Sequence, residues 1–193
     1  MKYKGAKKII YIIFTVISCL LAVGINVYII VHSCLDAQAS TEASAGVIET
    51  TEQIVNTISP GTVTPENHES FAAFIRKAFG HFGLFVISGL LTSIALYLSL
   101  KDIKKMKPHL LFVISLFFGL SMGAITETIQ MHVPGRSGEF SDVLIDFSGY
   151  ILGMLIIGLI LFLIIRHIRK KEEKKLDDAN IEHSNNEIVT SDN

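Results

Sequence analysis

Residues 143–165 read VLIDFSGYILGMLIIGLILFLII, a run of 23 residues in which Asp146 is the only charged side chain. A helix of about 20 apolar residues is long enough to cross the roughly 30 Å hydrocarbon core of a bilayer. Backbone amides in lipid must be hydrogen-bonded within the segment, and this run lacks the alternation of a barrel strand. The stretch therefore predicts a transmembrane helix.

Three other apolar stretches have a comparable length: residues 9–31, 79–100 and 110–129. Of the 193 residues, 50% are hydrophobic and 18% are charged, whereas a soluble domain usually has about 25% charged residues. The sequence predicts an all-α, polytopic membrane protein with four transmembrane helices, which argues against a soluble enzyme. No nucleic-acid partner is expected, because the basic residues flank the apolar stretches and form no single basic face.

The positions of the basic residues predict the orientation of the helices. They precede the first span, fill the second connection and follow the fourth span: Lys2, Lys4, Lys7, Lys8; Lys101, Lys104, Lys105, Lys107; Arg166, Arg169, Lys170, Lys171, Lys174 and Lys175. By the positive-inside rule both termini are cytoplasmic, and connections 32–78 and 130–142 face outward. The triplet Ala37-Gln38-Ala39 is similar to a signal-peptide cleavage site but lies well past the apolar region, so an uncleaved first helix is expected.

These features divide the chain into four regions. Residues 1–31 form a basic N-terminus and the first span, residues 32–78 an extracellular loop, and residues 79–165 a core of three transmembrane helices. Residues 166–193 form a polar cytoplasmic tail whose composition predicts disorder. Within the loop, apolar residues near helical spacing predict an amphipathic helix over residues 44–58.

Ionisable side chains within the spans are few, and they lie at one membrane depth. His81 opens the second span, Glu127 ends the third, and Asp142 and Asp146 begin the fourth. Because the second and fourth spans run inward while the third runs outward, all four residues fall in the outer-leaflet layer. An ionisable side chain at membrane depth costs about 2.5–3.5 kcal/mol on insertion scales, so each one needs a partner or a function.

Two more polar residues share helix faces with this group. Gln130 follows Glu127 by three positions, and Lys77 precedes His81 by four, so each pair lies on one face of its helix. Small residues at GxxxG spacing would allow the helices to approach closely. These candidate packing residues are Gly119 and Gly123 in the third span and Gly149 and Gly153 in the fourth.

The connection before the fourth span contains Pro134-Gly135, which suits the centre of a type II turn because proline fixes a negative φ and glycine accepts the positive φ that follows. Such a turn would hold Arg136 over the acidic side chains. Arg136 could pair with Glu127, Asp142 or Asp146, or it could bind a ligand carboxylate or phosphate through its planar fork. Both alternatives are compatible with the sequence.

Together these motifs are similar to those of a known family. The order Glu127-x-x-Gln130, Val133-Pro134-Gly135-Arg136 and Asp142-x-x-x-Asp146-x-x-Gly149-x-x-x-Gly153 resembles the VanZ-like family. Arg76-Lys77 followed by His81-Phe82 is similar to the basic-then-histidine feature that opens the family's conserved region. The resemblance covers roughly residues 70–160, with one departure: Asp146 stands where many members carry Asn.

The resemblance implies a multi-pass protein of the bacterial plasma membrane, from a Gram-positive organism. The best-known relative is an antibiotic-resistance accessory protein that lowers sensitivity to teicoplanin, but the family implies no established reaction. A first hypothesis is a binding module whose polar site recognises the head group of an amphiphile at the outer leaflet. Its partners would be membrane lipid and a lipoglycopeptide or lipid-linked cell-wall precursor. The candidate ligand-binding residues are Lys77, His81, Glu127, Gln130, Arg136, Asp142 and Asp146.

Three other hypotheses remain open. In an intramembrane enzyme acting on a lipid-linked envelope precursor, Glu127 or Asp142 would share acid–base work with His81. The sequence contains no nucleophile motif, phosphate loop or H-E-x-x-H spacing, so binding is favoured over catalysis and no cofactor or metal site is predicted. An ion-coupled transporter would need subunits to assemble. In a structural scaffold, the charged side chains would be only an ion-paired clamp between helices.

Overall fold

The computed structural model of the chain describes residues 2–101 and 107–191. It contains six α-helices and one π-helical segment: α1 Lys2–Ser33, α2 Ala37–Ile58, α3 His68–Ile75, the π-helical segment Arg76–Gly83, α4 Leu84–Leu100, α5 Pro108–Gln130 and α6 Phe140–Ser191. No strand occurs within the described ranges. The chain forms two compact units, Met1–Leu155 and Ile156–Asn193.

Four helical stretches are long and apolar enough to cross a membrane: Gly5–Ser33, His68–Leu100, His109–Gln130 and Phe140–Lys171. The all-α fold with four candidate spans is therefore confirmed. The second stretch begins at His68 instead of residue 79, because α3 and the π-helical segment continue directly into α4. Charged residues on both sides of Ile75 hide this continuity in the sequence. The orientation of the termini stays a prediction.

The connection between α1 and α3 contains the helix α2, which packs against α3. In α2 the side chain of Asp36 caps the N-terminus by accepting a hydrogen bond from the Ala39 amide at 2.8 Å. Ile48 of α2 packs with Ala72 and Ile75 of α3 in a small buried core. The predicted amphipathic helix over residues 44–58 lies within this longer helix. The face of α2 that carries Ile48 therefore packs against α3.

The polar tail is predicted to be disordered from its composition, and this stays a prediction. The backbone of α6 is helical through Ser191. Residues 169–176 read RKKEEKKL, and Lys, Glu, Arg and Leu are all favourable residues for a helix interior. Local helix propensity therefore accounts for the continuation over residues 169–176.

Glycines set the distance between α4, α5 and α6 in the first unit. A Cβ atom at Gly149 would collide with the carbonyl oxygen of Phe82, and one at Gly153 with that of Val86. A Cβ atom at Gly119 would collide with the ring of Tyr150. At Gly123, by contrast, it would lie 3.4 Å from the Asp146 Cβ, an ordinary contact. The start of α6 is therefore held against the π-helical segment and α4.

A group of uncharged polar side chains lies between α1, α4, α5 and α6. Asn26 accepts a hydrogen bond from the Ser88 hydroxyl at 2.9 Å and donates to the Thr92 hydroxyl at 3.0 Å. Ser115 Oγ lies 3.0 Å from the hydroxyl of Tyr150 and 2.9 Å from that of Ser93. We call these six residues the neutral network. Hydrogen bonds of this kind help transmembrane helices to associate.

Candidate functional site

Side chains from three helical elements and one connection meet at one end of the first unit. We call them the polar cluster: Lys77, His81, Glu127, Gln130, Arg136, Glu139, Asp142 and Asp146. The structure brings together all seven side chains that the sequence analysis named as ligand-binding candidates. It adds Glu139, which sequence reasoning missed because an acidic residue in a polar connection has no unusual feature.

His81 lies at the centre of the polar cluster. Its Nδ1 atom is 3.1 Å from Asp146 Oδ1 and 3.8 Å from Glu127 Oε1, and its Nε2 atom is 3.9 Å from Asp142 Oδ2. His81 belongs to the π-helical segment, and such wider turns occur frequently at functional sites. The close approach of Gly149 to the Phe82 carbonyl brings α6, and with it both aspartates, next to this segment.

The three carboxylates of the spans are buried, at 4% exposure for Glu127, 6% for Asp142 and 1% for Asp146. Glu127 Oε2 accepts a hydrogen bond from the Glu139 amide at 3.0 Å, and Asp146 Oδ2 accepts one from the Thr126 hydroxyl at 3.5 Å. Glu127 Oε1 is buried and has no hydrogen-bond partner within residues 2–101 and 107–191. This buried oxygen therefore contacts the His81 ring at 3.8 Å but accepts no hydrogen bond from the described residues.

Lys77 joins the polar cluster from the side. Its ammonium group donates to Asp142 Oδ1 at 2.5 Å and to Glu139 Oε2 at 3.0 Å. The hydrogen bond from Lys77, together with one from the Ser141 hydroxyl, lowers the pKa of the Glu139 carboxyl. Lys77 thus compensates one buried and one exposed carboxylate, and it does not reach Glu127 or Asp146 within 4.0 Å.

Arg136 is held by the predicted turn. Gly135 has a φ of 74°, and the Arg136 amide donates to the Val133 carbonyl at 3.2 Å, which confirms the Pro134-Gly135 turn. The guanidinium Nη2 donates to Gln130 Oε1 at 2.8 Å, while Nη1 is buried and has no partner among the described residues. Burial lowers the pKa of this guanidinium. Arg136 makes no ion pair with a carboxylate in the described part of the chain, contrary to one of the two alternatives.

A cavity of about 680 Å³ opens beside the polar cluster. This volume lies within the range of small-molecule sites, roughly 300–1,000 Å³. Polar side chains line part of its wall: His81, Gln130, Arg136, Asp142 and Asp146. Apolar side chains from α1, α2 and the start of α4 line another part: Ile29, Val47, Leu84, Phe85 and Ile87. The contribution of α1 and α2 could not be read from motifs in the sequence.

The side chains of the polar cluster can form ion pairs and transfer protons. His81 contacts carboxylates, and within the described ranges no hydroxyl or thiol lies within hydrogen-bonding distance of it. His81 is therefore not paired with a serine or cysteine nucleophile among the described residues. His81, Glu127 and Asp146 each offer a ligand atom, and these three atoms lie within 4.8 Å of one another, so the trio could hold a metal ion.

Comparison with known proteins gives the family but no close relative. No curated protein and no solved structure matches the chain. A family model described as VanZ/LLP1 matches residues 9–163, which include every residue of the polar cluster and the four candidate spans almost completely. The match covers most of the 193 residues. The chain therefore belongs to the VanZ/LLP1 family.

Proposed function

We propose that the protein binds the polar head group of a lipid-linked cell-envelope molecule at the outer leaflet of the bacterial plasma membrane, without catalysing a reaction. The observation that carries this proposal is the buried Nη1 of Arg136, which has no hydrogen-bond partner among the described residues and lies beside a cavity lined by both polar and apolar side chains. A buried guanidinium donor without a partner is costly, and an anionic oxygen would satisfy it.

The shape of the cavity suits an amphiphile. Arg136 would hold a carboxylate or phosphate, and Gln130 and the carboxylates would accept hydrogen bonds from sugar hydroxyls or an amine. Apolar lining residues such as Ile29 and Phe85 would contact the first carbons of a lipid tail. The predicted orientation supports access from the outer leaflet, because basic residues flank the opposite ends of the spans.

Teicoplanin is a candidate ligand because it is a glycopeptide that carries a lipid tail, and because the VanZ-like family includes a protein that lowers sensitivity to it. A lipid-linked cell-wall precursor has the same two parts, an anionic head group and a long hydrocarbon tail. The common chemistry is the combination of a charged group for Arg136 with an apolar portion for the cavity wall.

A second candidate function is an intramembrane acid–base enzyme acting on a lipid-linked precursor. The arrangement of His81 between Asp142, Asp146 and Glu127 favours it, because a histidine held by carboxylates can accept and return protons near neutral pH. Conversion of a labelled precursor by the purified protein would establish this function, and an unchanged precursor after long incubation would exclude it.

The first test measures binding by the protein in lipid nanodiscs. We expect saturable binding of a lipid-linked cell-wall precursor or of teicoplanin, weakened about 10- to 100-fold in Arg136→Ala because charge-assisted hydrogen bonds are lost. Arg166→Ala is the matched control, since this exposed arginine belongs to the other unit. Equal affinities for Arg136→Ala and the wild type would remove Arg136 from the site.

The second test measures protection in a teicoplanin-sensitive Gram-positive host, with membrane abundance checked by immunoblot. The wild-type protein should raise the inhibitory concentration of teicoplanin more than that of vancomycin, because vancomycin has no lipid tail. Arg136→Ala at equal abundance should lose this protection, and Arg166→Ala should keep it. No protection at confirmed abundance would separate the protein from glycopeptide sensitivity and leave only the precursor as a candidate.

A further inference from the structure

We propose that His81, Glu127 and Asp146 bind one divalent metal ion, with zinc as the best-suited ion. The ligand atoms come from three different elements, the π-helical segment, α5 and α6, and lie within 4.8 Å of one another. Two of the residues are almost completely buried, and His81 is half-buried. The inference does not depend on a lipid ligand, since the metal site can be tested without one.

Two of the three separations between the ligand atoms are close to those of a tetrahedral ion. Zinc binds histidine nitrogen and carboxylate oxygen at about 2.0–2.2 Å, so neighbouring ligand atoms lie roughly 3.3–3.6 Å apart in a tetrahedral site. The distances from His81 Nδ1 are 3.1 Å to Asp146 Oδ1 and 3.8 Å to Glu127 Oε1. Small rotations of these side chains would make both distances suitable. One nitrogen and two carboxylate oxygens also fit Mn²⁺, which makes manganese a useful second probe.

An independent observation supports a cation between these side chains. Glu127 Oε1 faces His81 Nδ1 at 3.8 Å, is inaccessible to solvent and has no hydrogen-bond partner in the described residues. Buried polar atoms are normally hydrogen-bonded, and an ionised oxygen without a partner is strongly unfavourable. A metal ion between Glu127, His81 and Asp146 would compensate this oxygen directly. Neither Lys77 nor Arg136 reaches it within 4.0 Å.

The charges of the polar cluster lead to the same conclusion. Glu127, Glu139, Asp142 and Asp146 supply four carboxylates, whereas Lys77 and Arg136 supply two cations. With the carboxylates ionised and His81 neutral, two negative charges remain. A divalent cation would balance them. Protonation of His81 or of the carboxylates is the alternative, and the experiment distinguishes protonation from a bound metal ion.

The two carboxylate ligands are also held by a second contact, as is usual for metal sites. His81 Nε2 lies 3.9 Å from Asp142 Oδ2, which is beyond hydrogen-bonding distance. The Glu139 amide holds the other oxygen of Glu127, and Thr126 holds that of Asp146. Three protein ligands leave a fourth position open. His81 and Asp146 line the cavity, so this position is accessible from there.

The test uses the full-length protein in detergent, purified through an affinity tag without histidine and treated with a chelator. Isothermal titration with Zn²⁺, repeated with Mn²⁺, should give about one ion per chain for the wild type. Glu127→Gln and Asp146→Asn should each weaken binding by more than the 10- to 100-fold typical of an outer-shell change. Glu139→Gln is the matched control, because it removes a carboxylate of the polar cluster that is not a ligand.

Thermal melting of the same samples provides the folding control. Zn²⁺ should raise the melting temperature of the wild type and of Glu139→Gln, and should not raise that of the two ligand variants. Absence of saturable binding of both ions by the folded wild type would overturn the proposal in favour of protonated carboxylates. Unchanged affinity in a folded Glu127→Gln would overturn it too.

Discussion

The neutral network and the polar cluster lie in the same unit, but they differ in how completely their polar atoms are paired. In the neutral network every named side chain has a hydrogen-bond partner, and Tyr150 has no exposed surface. The polar cluster is also largely buried, yet Glu127 Oε1 and Arg136 Nη1 have no partner in the described residues. It also borders the cavity.

This difference distinguishes polar side chains that stabilise the fold from polar side chains that are available to a ligand. Neutral hydroxyl and amide groups can satisfy one another within a helix bundle at modest cost, so the neutral network needs nothing from outside. Charged groups with unpaired atoms are retained at a cost to stability, which a ligand or an ion would offset. Variants in the two groups should therefore have opposite consequences for stability and binding.

The largest loss of stability should come from disrupting the close approach of Gly149 to the Phe82 carbonyl, because residues of both the polar cluster and the neutral network flank it. Gly149 lies between Asp146 and Tyr150, and a side chain there would collide with the Phe82 carbonyl. We expect Gly149→Val to destabilise the fold by about 3 kcal/mol and to reduce the amount of folded protein. Fluorescence-detected size-exclusion chromatography measures this amount. Gly24→Val is the matched control, because a Cβ atom at Gly24 would meet open space.

A smaller effect is expected from Tyr150→Phe, which tests the neutral network alone. The change removes the hydroxyl that contacts Ser115, but Ser115 keeps its hydrogen bond with Ser93. The expected loss of stability is about 1 kcal/mol, typical of one hydrogen bond. A lower melting temperature with unchanged zinc and ligand affinity would fit a structural role. Weaker binding at equal stability would contradict the separation of the two groups.

The charged counterpart is Glu127→Gln in the metal-free protein. This nearly isosteric change removes a buried charge whose Oε1 is unpaired, so the melting temperature should stay the same or rise while zinc affinity falls. Melting curves recorded with a chelator measure the first quantity. If the variant melted well below the wild type with the chelator present, Glu127 would be part of a structural clamp, as the scaffold hypothesis holds.

Much of this arrangement could be predicted from the sequence because membrane physics constrains it strongly. Apolar length predicted the four candidate spans, and an alternating direction of the spans predicted that His81, Glu127, Asp142 and Asp146 lie close together. The Pro134-Gly135 turn was predictable because only a few residue types accept its backbone angles. In each case a local rule was sufficient.

The remaining features depend on contacts between distant segments. The metal trio has no sequence motif, because its ligands come from three elements separated by many residues. Asn26 gave no signal because a single amide within a span can have many partners, and here the partners are on α4. The walls contributed by α1 and α2 could not be foreseen, since helical spacing in a loop does not show where the helix packs.

Glu139 gives the smallest expected effect and defines the outer edge of the polar cluster. Its carboxylate pairs with Lys77 at 3.0 Å, but the pair is exposed, and exposed ion pairs contribute little. Because Lys77 lowers the pKa of Glu139 below its ordinary value, its stabilising contribution is fully present above the unfolded-state pKa and is lost as the pH falls through the folded-state pKa.

Glu139→Gln should therefore lower the melting temperature only slightly at neutral pH, and less still at high salt. The difference from the wild type should disappear when the pH falls below the folded-state pKa of Glu139. A difference that persisted in acid would mean that Glu139 acts through something other than its charge, for example through the hydrogen bond from Ser141. A large loss of zinc affinity in this variant would mean that Glu139 also contributes to the metal site. The site would then include an exposed carboxylate in addition to His81, Glu127 and Asp146.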